Sequence, residues 1–194
     1  GLSSSNTGIS YQLYKGGAVA GAPVAGTGAE ISFGNVTTAG TYTVLATNNS
    51  TSCSAAMAGS ATVGINALPS SYTVSGSASI CAGQPGVVIT LGGSTPGVEY
   101  QLMNGTTPVG FPMLGTGSNI DFAPVTTAGS YMVVANDPST TCSKNMTGSA
   151  TVVVNALPAA QTVTGGGSYC NGAAGVAVGL ASSATGISYQ LMNG

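Results

Sequence analysis

Few side chains in this chain have reactive chemistry. There are four cysteines, Cys53, Cys81, Cys142 and Cys170, four acids, Glu30, Glu99, Asp121 and Asp137, and two lysines, Lys15 and Lys144. There is no histidine. The cysteines fall into two sets separated by 89 residues, Cys53 with Cys142 and Cys81 with Cys170. Neither set has the Cys-x-x-Cys spacing of a zinc site, so no metal is expected, and disulfide chemistry is the better use of a recurring thiol. The acids do not recur at that spacing: Asp121 corresponds to Ser32, Glu30 to Asn119, Glu99 to Ser10 and Ser188, and Asp137 to Asn48. Isolated carboxylates cannot form the multi-oxygen cage that calcium needs, and without histidine there is no Ser-His or Cys-His pair. The lysines fail in the same way, Lys15 facing Asn104 and Lys144 facing Ala55 in the alignment. The expectation is a chain that is not an enzyme and binds no cofactor.

The elements that carry these residues repeat as well. Tyr11-Gln12-Leu13 returns as Tyr100-Gln101-Leu102 and as Tyr189-Gln190-Leu191, and Asn66-Ala67-Leu68-Pro69 returns as Asn155-Ala156-Leu157-Pro158. A period of 89 residues exceeds that of helical solenoids and propeller blades, and it implies a string of small complete domains. The Asn-Ala-Leu-Pro segments mark the boundaries, because each proline removes a backbone donor where an apolar alternating run should stop. The units are then residues 1–69, lacking the start of a repeat, a complete unit at 70–158, and the beginning of a third at 159–194.

Composition narrows the class further. Only 3% of residues are charged, against roughly 25% in an ordinary soluble domain. Nucleic acid is excluded as a partner, since phosphate binding needs clustered Lys or Arg. Disordered chains are poor in aliphatics, whereas this one is 43% hydrophobic and should fold. No apolar run approaches the roughly 20 residues of a membrane-spanning helix. In the complete unit, Val98, Tyr100 and Leu102 alternate with Glu99, Gln101 and Met103, the period of a strand with one buried face. Asn104-Gly105 should end it as a turn. Further short strands are expected at Tyr72–Val74, Val87–Leu91, Ile120–Phe122, Tyr131–Ala135 and Ala150–Val154, and no helix. The fold class is all-β, with two-sheet sandwiches in tandem.

At Ala39-Gly40-Thr41-Tyr42 and Ala128-Gly129-Ser130-Tyr131 the chain resembles strand F of immunoglobulin-like domains. With Cys81-Ala82-Gly83, Tyr100 and Cys142 before a last strand, the whole is similar to the immunoglobulin-like and PKD-like tandem repeats of large secreted surface proteins of Bacteroidota. The resemblance implies display outside the cell and assigns Tyr42 and Tyr131 as tyrosine corners. It departs in having no tryptophan on strand C and in its low charge.

Within that framework each unit has one cysteine before strand B and one after strand F. The simplest pairing is Cys81 with Cys142, leaving Cys53 and Cys170 with partners outside the chain. The rival is a link from one unit's Cys81 to the next unit's equivalent of Cys142, and free thiols are the third alternative. The leading expectation for function is an extracellular, cell-surface rod, stalk or filament, with neighbouring repeats and lateral copies of itself as partners. The alternative is an adhesive module for glycans or a substratum, to which Tyr14, Met103, Phe111 and Met113 would contribute an apolar loop surface. Phe111 aligns with Ala22 and Met113 with Val24, so that surface does not repeat.

Overall fold

The computed structural model describes residues 1–193. The chain is all-β, with no helix among the described residues, and it divides into two compact units, Gly1–Ala67 and Leu68 onward. The division falls inside the Asn66–Pro69 segment.

The first unit contains β1 (Ile9–Lys15), β2 (Ala18–Val19), β3 (Val24–Ala25), β4 (Gly40–Asn48), β5 (Ser54–Ala56) and β6 (Ala61–Val63). They form one sheet in the order β2-β1-β4-β5, with β3 also on β1 and β6 also on β4. Its core is small, built on Tyr11, Ile31 and Ala46 with Met57 and Phe33 packed against them.

The second unit contains β7 (Val74–Ser75), β8 (Ala78–Cys81), β9 (Thr90–Leu91), β10 (Glu99–Asn104), β11 (Thr107–Leu114), β12 (Ile120–Asp121), β13 (Gly129–Asp137), β14 (Cys142–Asn145) and β15 (Ala150–Asn155). A separate two-stranded sheet follows, β16 (Val163–Gly165) with β17 (Val178–Leu180). The larger sheet runs β11-β10-β13-β15-β8, with β14 on β13, and the smaller runs β12-β9-β7. One core joins them, the arrangement of a β-sandwich: Leu91 and Ile120 from the small sheet meet Tyr100, Leu102, Tyr131, Val133 and Val152 from the large one. The alternation explains the layering, because along β13 Tyr131, Val133 and Ala135 are buried while the residues between them are not. Each buried Val or Leu contributes about 1.5–3 kcal/mol relative to exposure.

Three strands of the 70–158 unit were not expected from the sequence. β8 is four residues long and pairs in parallel with β15, so its neighbours are more than 70 residues away. β14 follows a hairpin loop that has no glycine, Thr141 taking φ 58 in its place. β11 contains Pro108 and Pro112 and lies at the free edge of the large sheet, where a proline costs no ladder bond on the open side. The turn at Asn104-Gly105 is present: Asn104 pairs with Thr107 and Gly105 takes φ 59, accessible to glycine at no steric cost.

Candidate functional site

The recurring Tyr-Gln-Leu triplet sits on β1 and on β10, and each residue has a separate task. Leu102 is 1% exposed and fills the core. The Tyr100 hydroxyl accepts the backbone N–H of Thr95 at 2.8 Å, and the Tyr11 hydroxyl accepts that of Asn6 at 2.9 Å. The Tyr189 hydroxyl accepts the N–H of Ala184 at 3.0 Å. Buried Tyr100 also packs edge to face against Tyr72, with ring centroids 6.4 Å apart. Gln101 works on the edge strand. Its Nε2 donates to the Leu102 carbonyl at 2.8 Å and to the Val109 carbonyl at 3.0 Å, where the β10–β11 register shifts. Gln12 does the same with Leu13 and Gly21, both at 3.0 Å.

A buried serine anchors the loop below. Ser94 Oγ donates to the Ser118 carbonyl at 2.6 Å and accepts from the N–H groups of Thr116 and Gly117 at 3.1 and 3.3 Å. Ser5 repeats the pattern with the Ala29 carbonyl at 2.6 Å and Thr27 N–H at 3.0 Å. Neither serine was singled out from sequence. The available signal was recurrence, since Ser5 and Ser94 correspond at the 89-residue offset. The tyrosines assigned to the corner make one bond each: Tyr42 Oη to the Thr38 carbonyl at 2.8 Å, and Tyr131 Oη to the Thr127 carbonyl at 2.7 Å.

The cysteines are not brought together. All four are unpaired thiols, and the expected Cys81–Cys142 bridge is not formed. Cys142 pairs with Asp137 at one end of β13, while Cys81 pairs with Asn155 beyond the other end of it. Counting along β13 and β15 at about 3.3 Å per residue separates the two by roughly 35 Å. A disulfide tolerates a Cα separation of only about 7 Å. The two cysteines occupy opposite ends of one sheet, so no local adjustment could join them.

The acids are equally scattered, and among the described residues no three metal-binding side chains gather. Asp121 accepts from Thr90 Oγ1 at 2.6 Å. Asp137 closes the β13–β14 loop, Oδ1 accepting from the Ser139 hydroxyl at 2.7 Å and from its N–H at 2.9 Å. These bonds favour the ionised form and hold the Asp137 carboxyl below its usual range. Because the folded value is the lower one, the stabilisation is complete above the unfolded value of about 3.9 and is lost as pH falls through the folded value. Asn48 makes the equivalent contacts with Ser50 N–H at 2.9 Å and Thr51 N–H at 3.2 Å. Asp137→Asn should therefore keep the loop and remove this acid-dependent step, read as the difference between wild-type and variant unfolding midpoints from neutral pH to below about pH 4. Identical pH profiles would refute the capping role.

One concave surface stands apart from this framework. A cleft of about 550 Å³ opens between β11 and the 122–127 loop of the second unit. Phe111, 91% exposed, and Met113, 40% exposed, lie on its lining. Met103, on β10, and Tyr14, in the first unit on β1, do not line it. No family model matches the chain and no curated protein sequence matches it, which leaves its own geometry as the ground for a function.

Proposed function

We propose that the chain is a stretch of an extracellular rod, stalk or filament made of tandem immunoglobulin-like sandwiches with an 89-residue repeat, and that its role is structural rather than enzymatic. The observation that carries this is what recurs. Ser5 and Ser94, Tyr11 and Tyr100, Gln12 and Gln101, and Tyr42 and Tyr131 make matching hydrogen bonds 89 residues apart. Every one of these ties a side chain to backbone within a unit, and no carboxylate, lysine or histidine recurs beside them. A frame that recurs while the acids and lysines vary suits a spacer.

Low charge supports the same reading. Two lysines and no arginine in 194 residues leave almost nowhere for a trypsin-like protease to cut, and weak self-repulsion permits lateral association. Cys81 and Cys142 lie at opposite ends of the large sheet, which suits links to neighbouring repeats in an oxidising exterior better than a link inside one.

Small-angle scattering of chains with increasing repeat number tests this. The maximum dimension is expected to grow linearly by about 40 Å per repeat, the length of about 12 extended residues. Growth with the square root of repeat number, the behaviour of a freely hinged string, would overturn the rod. Non-reducing peptide mapping of the native array would find Cys81 linked to a different unit; a Cys81–Cys142 link would remove the covalent part of the proposal.

A further inference from the structure

We infer that the cleft beside β11 is a binding site for a neutral saccharide, with Phe111 as its stacking platform. Three observations lead there, independently of the rod. The first is how Phe111 is held. Between Val109 and Met113 the edge strand has three residues, Gly110, Phe111 and Pro112, where β10 has only Gln101. The Gln101 amide ties off this bulge at the Val109 carbonyl, Gly110 takes φ 66, and Pro112 fixes its own φ. The backbone that presents the exposed ring is thereby braced on both sides, so little backbone entropy is lost when a ligand covers it.

The second is the character of the lining. Phe111 and Met113 supply an apolar strip, and Asn104, Thr107, Thr126 and Thr127 supply amide and hydroxyl groups around it. No Asp, Glu, Lys or Arg is among the lining residues. A ring with C–H groups on its face and hydroxyls at its edge complements that pattern, because the aromatic face is electronegative and attracts C–H, while amides and hydroxyls exchange hydrogen bonds with the rim. A charged sugar would be desolvated with no counter-charge.

The third is what the site cannot take. An extended peptide adds to a sheet edge by continuous backbone pairing, yet Pro108 and Pro112 lack N–H groups and the bulge breaks the ladder. The volume, about 550 Å³, falls in the range of small-ligand sites rather than protein interfaces. In the first unit Ala22 and Val24 stand at the positions of Phe111 and Met113, so one site per chain is expected, and only in the second unit.

The test is an NMR titration of the whole 194-residue chain with cellobiose and with N,N′-diacetylchitobiose, using sialyllactose as the charged comparator. Saturable shifts at Thr107, Phe111 and Thr126 with one of the neutral disaccharides, at concentrations on the order of 1 mM, are expected, with none in residues 18–25. Phe111→Ala should weaken binding at least about tenfold while leaving the unfolding midpoint unchanged, since the ring is exposed. Absence of shifts with both neutral sugars, equal response to sialyllactose, or undiminished binding in Phe111→Ala would overturn the assignment. So would a concentration-dependent dimer abolished by Phe111→Ala without any sugar response, which would assign the cleft to a second copy of the chain.

Discussion

Replacing Ser94 with alanine is expected to destabilise the second unit by about 3 kcal/mol, although only one oxygen atom is removed. The side chain is 3% exposed and its hydroxyl makes three hydrogen bonds, one to the Ser118 carbonyl and two from the N–H groups of Thr116 and Gly117. Alanine fills nearly the same volume, so packing changes little. The cost is that three backbone groups lose their partner, and each such group costs about 1–3 kcal/mol where water cannot replace it, less here because Thr116, Gly117 and Ser118 are themselves exposed. Partial hydration of the loop keeps the total near the lower end of the sum. Urea unfolding of the whole chain gives the magnitude, and hydrogen exchange gives the mechanism. The Thr116 and Gly117 amides should lose protection selectively. A loss below about 1 kcal/mol with protection retained there would mean that the loop is held by something else.

Gly115→Ala should be at least as damaging, for a different reason. A Cβ on Gly115 would collide with the carbonyl oxygen of Thr95 and lie 3.0 Å from the Tyr100 ring. Neither neighbour can withdraw. Thr95 is pinned through its N–H to the Tyr100 hydroxyl and accepts from Val98 N–H at 3.2 Å, while Gly115 itself donates to Val98 at 2.8 Å. The same hydrogen bonds that order the loop therefore remove the slack a methyl group would need. Overpacking typically costs about 1–3 kcal/mol, and a backbone that cannot withdraw puts Gly115→Ala at the upper end, about 3 kcal/mol. Gly117→Ala provides the contrast. Its φ of +91 penalises a side chain, but its Cβ would meet only Pro96 at 3.8 Å, so about 1–2 kcal/mol is expected. Equal effects of the two substitutions would show that the Thr95 carbonyl yields to the methyl group and that close approach is not what Gly115 supplies.

These two residues illustrate what could be read from the chain and what could not. Ser94 and Gly115 correspond to Ser5 and Gly26 at the repeat offset, so recurrence marks them as needed without saying for what. Their meaning depends on Ser94 lying against Ser118, 24 residues away, a contact created by strand crossing and not by any local propensity. Gln101 is similar. Its place in the Tyr-Gln-Leu triplet reads as the outward residue of an alternating strand, and only the sheet edge reveals that its amide closes a bulge and thereby sets Phe111 out in solvent.

By itself the sequence determined the all-β class, the strand over Val98–Met103 with its buried face and its Asn-Gly turn, and the lack of a recurring carboxylate, lysine or histidine. Each of these follows from residue type, spacing of two, or identity at a fixed offset, all visible over short windows or by direct comparison. The tertiary structure alone decided that β8 joins the large sheet in parallel with β15, that the Gln101 amide closes a bulge on β11, and that a cleft opens beside that strand. Such facts depend on which strands become neighbours. That choice is made by burial summed over the whole unit, so no single stretch of sequence encodes it.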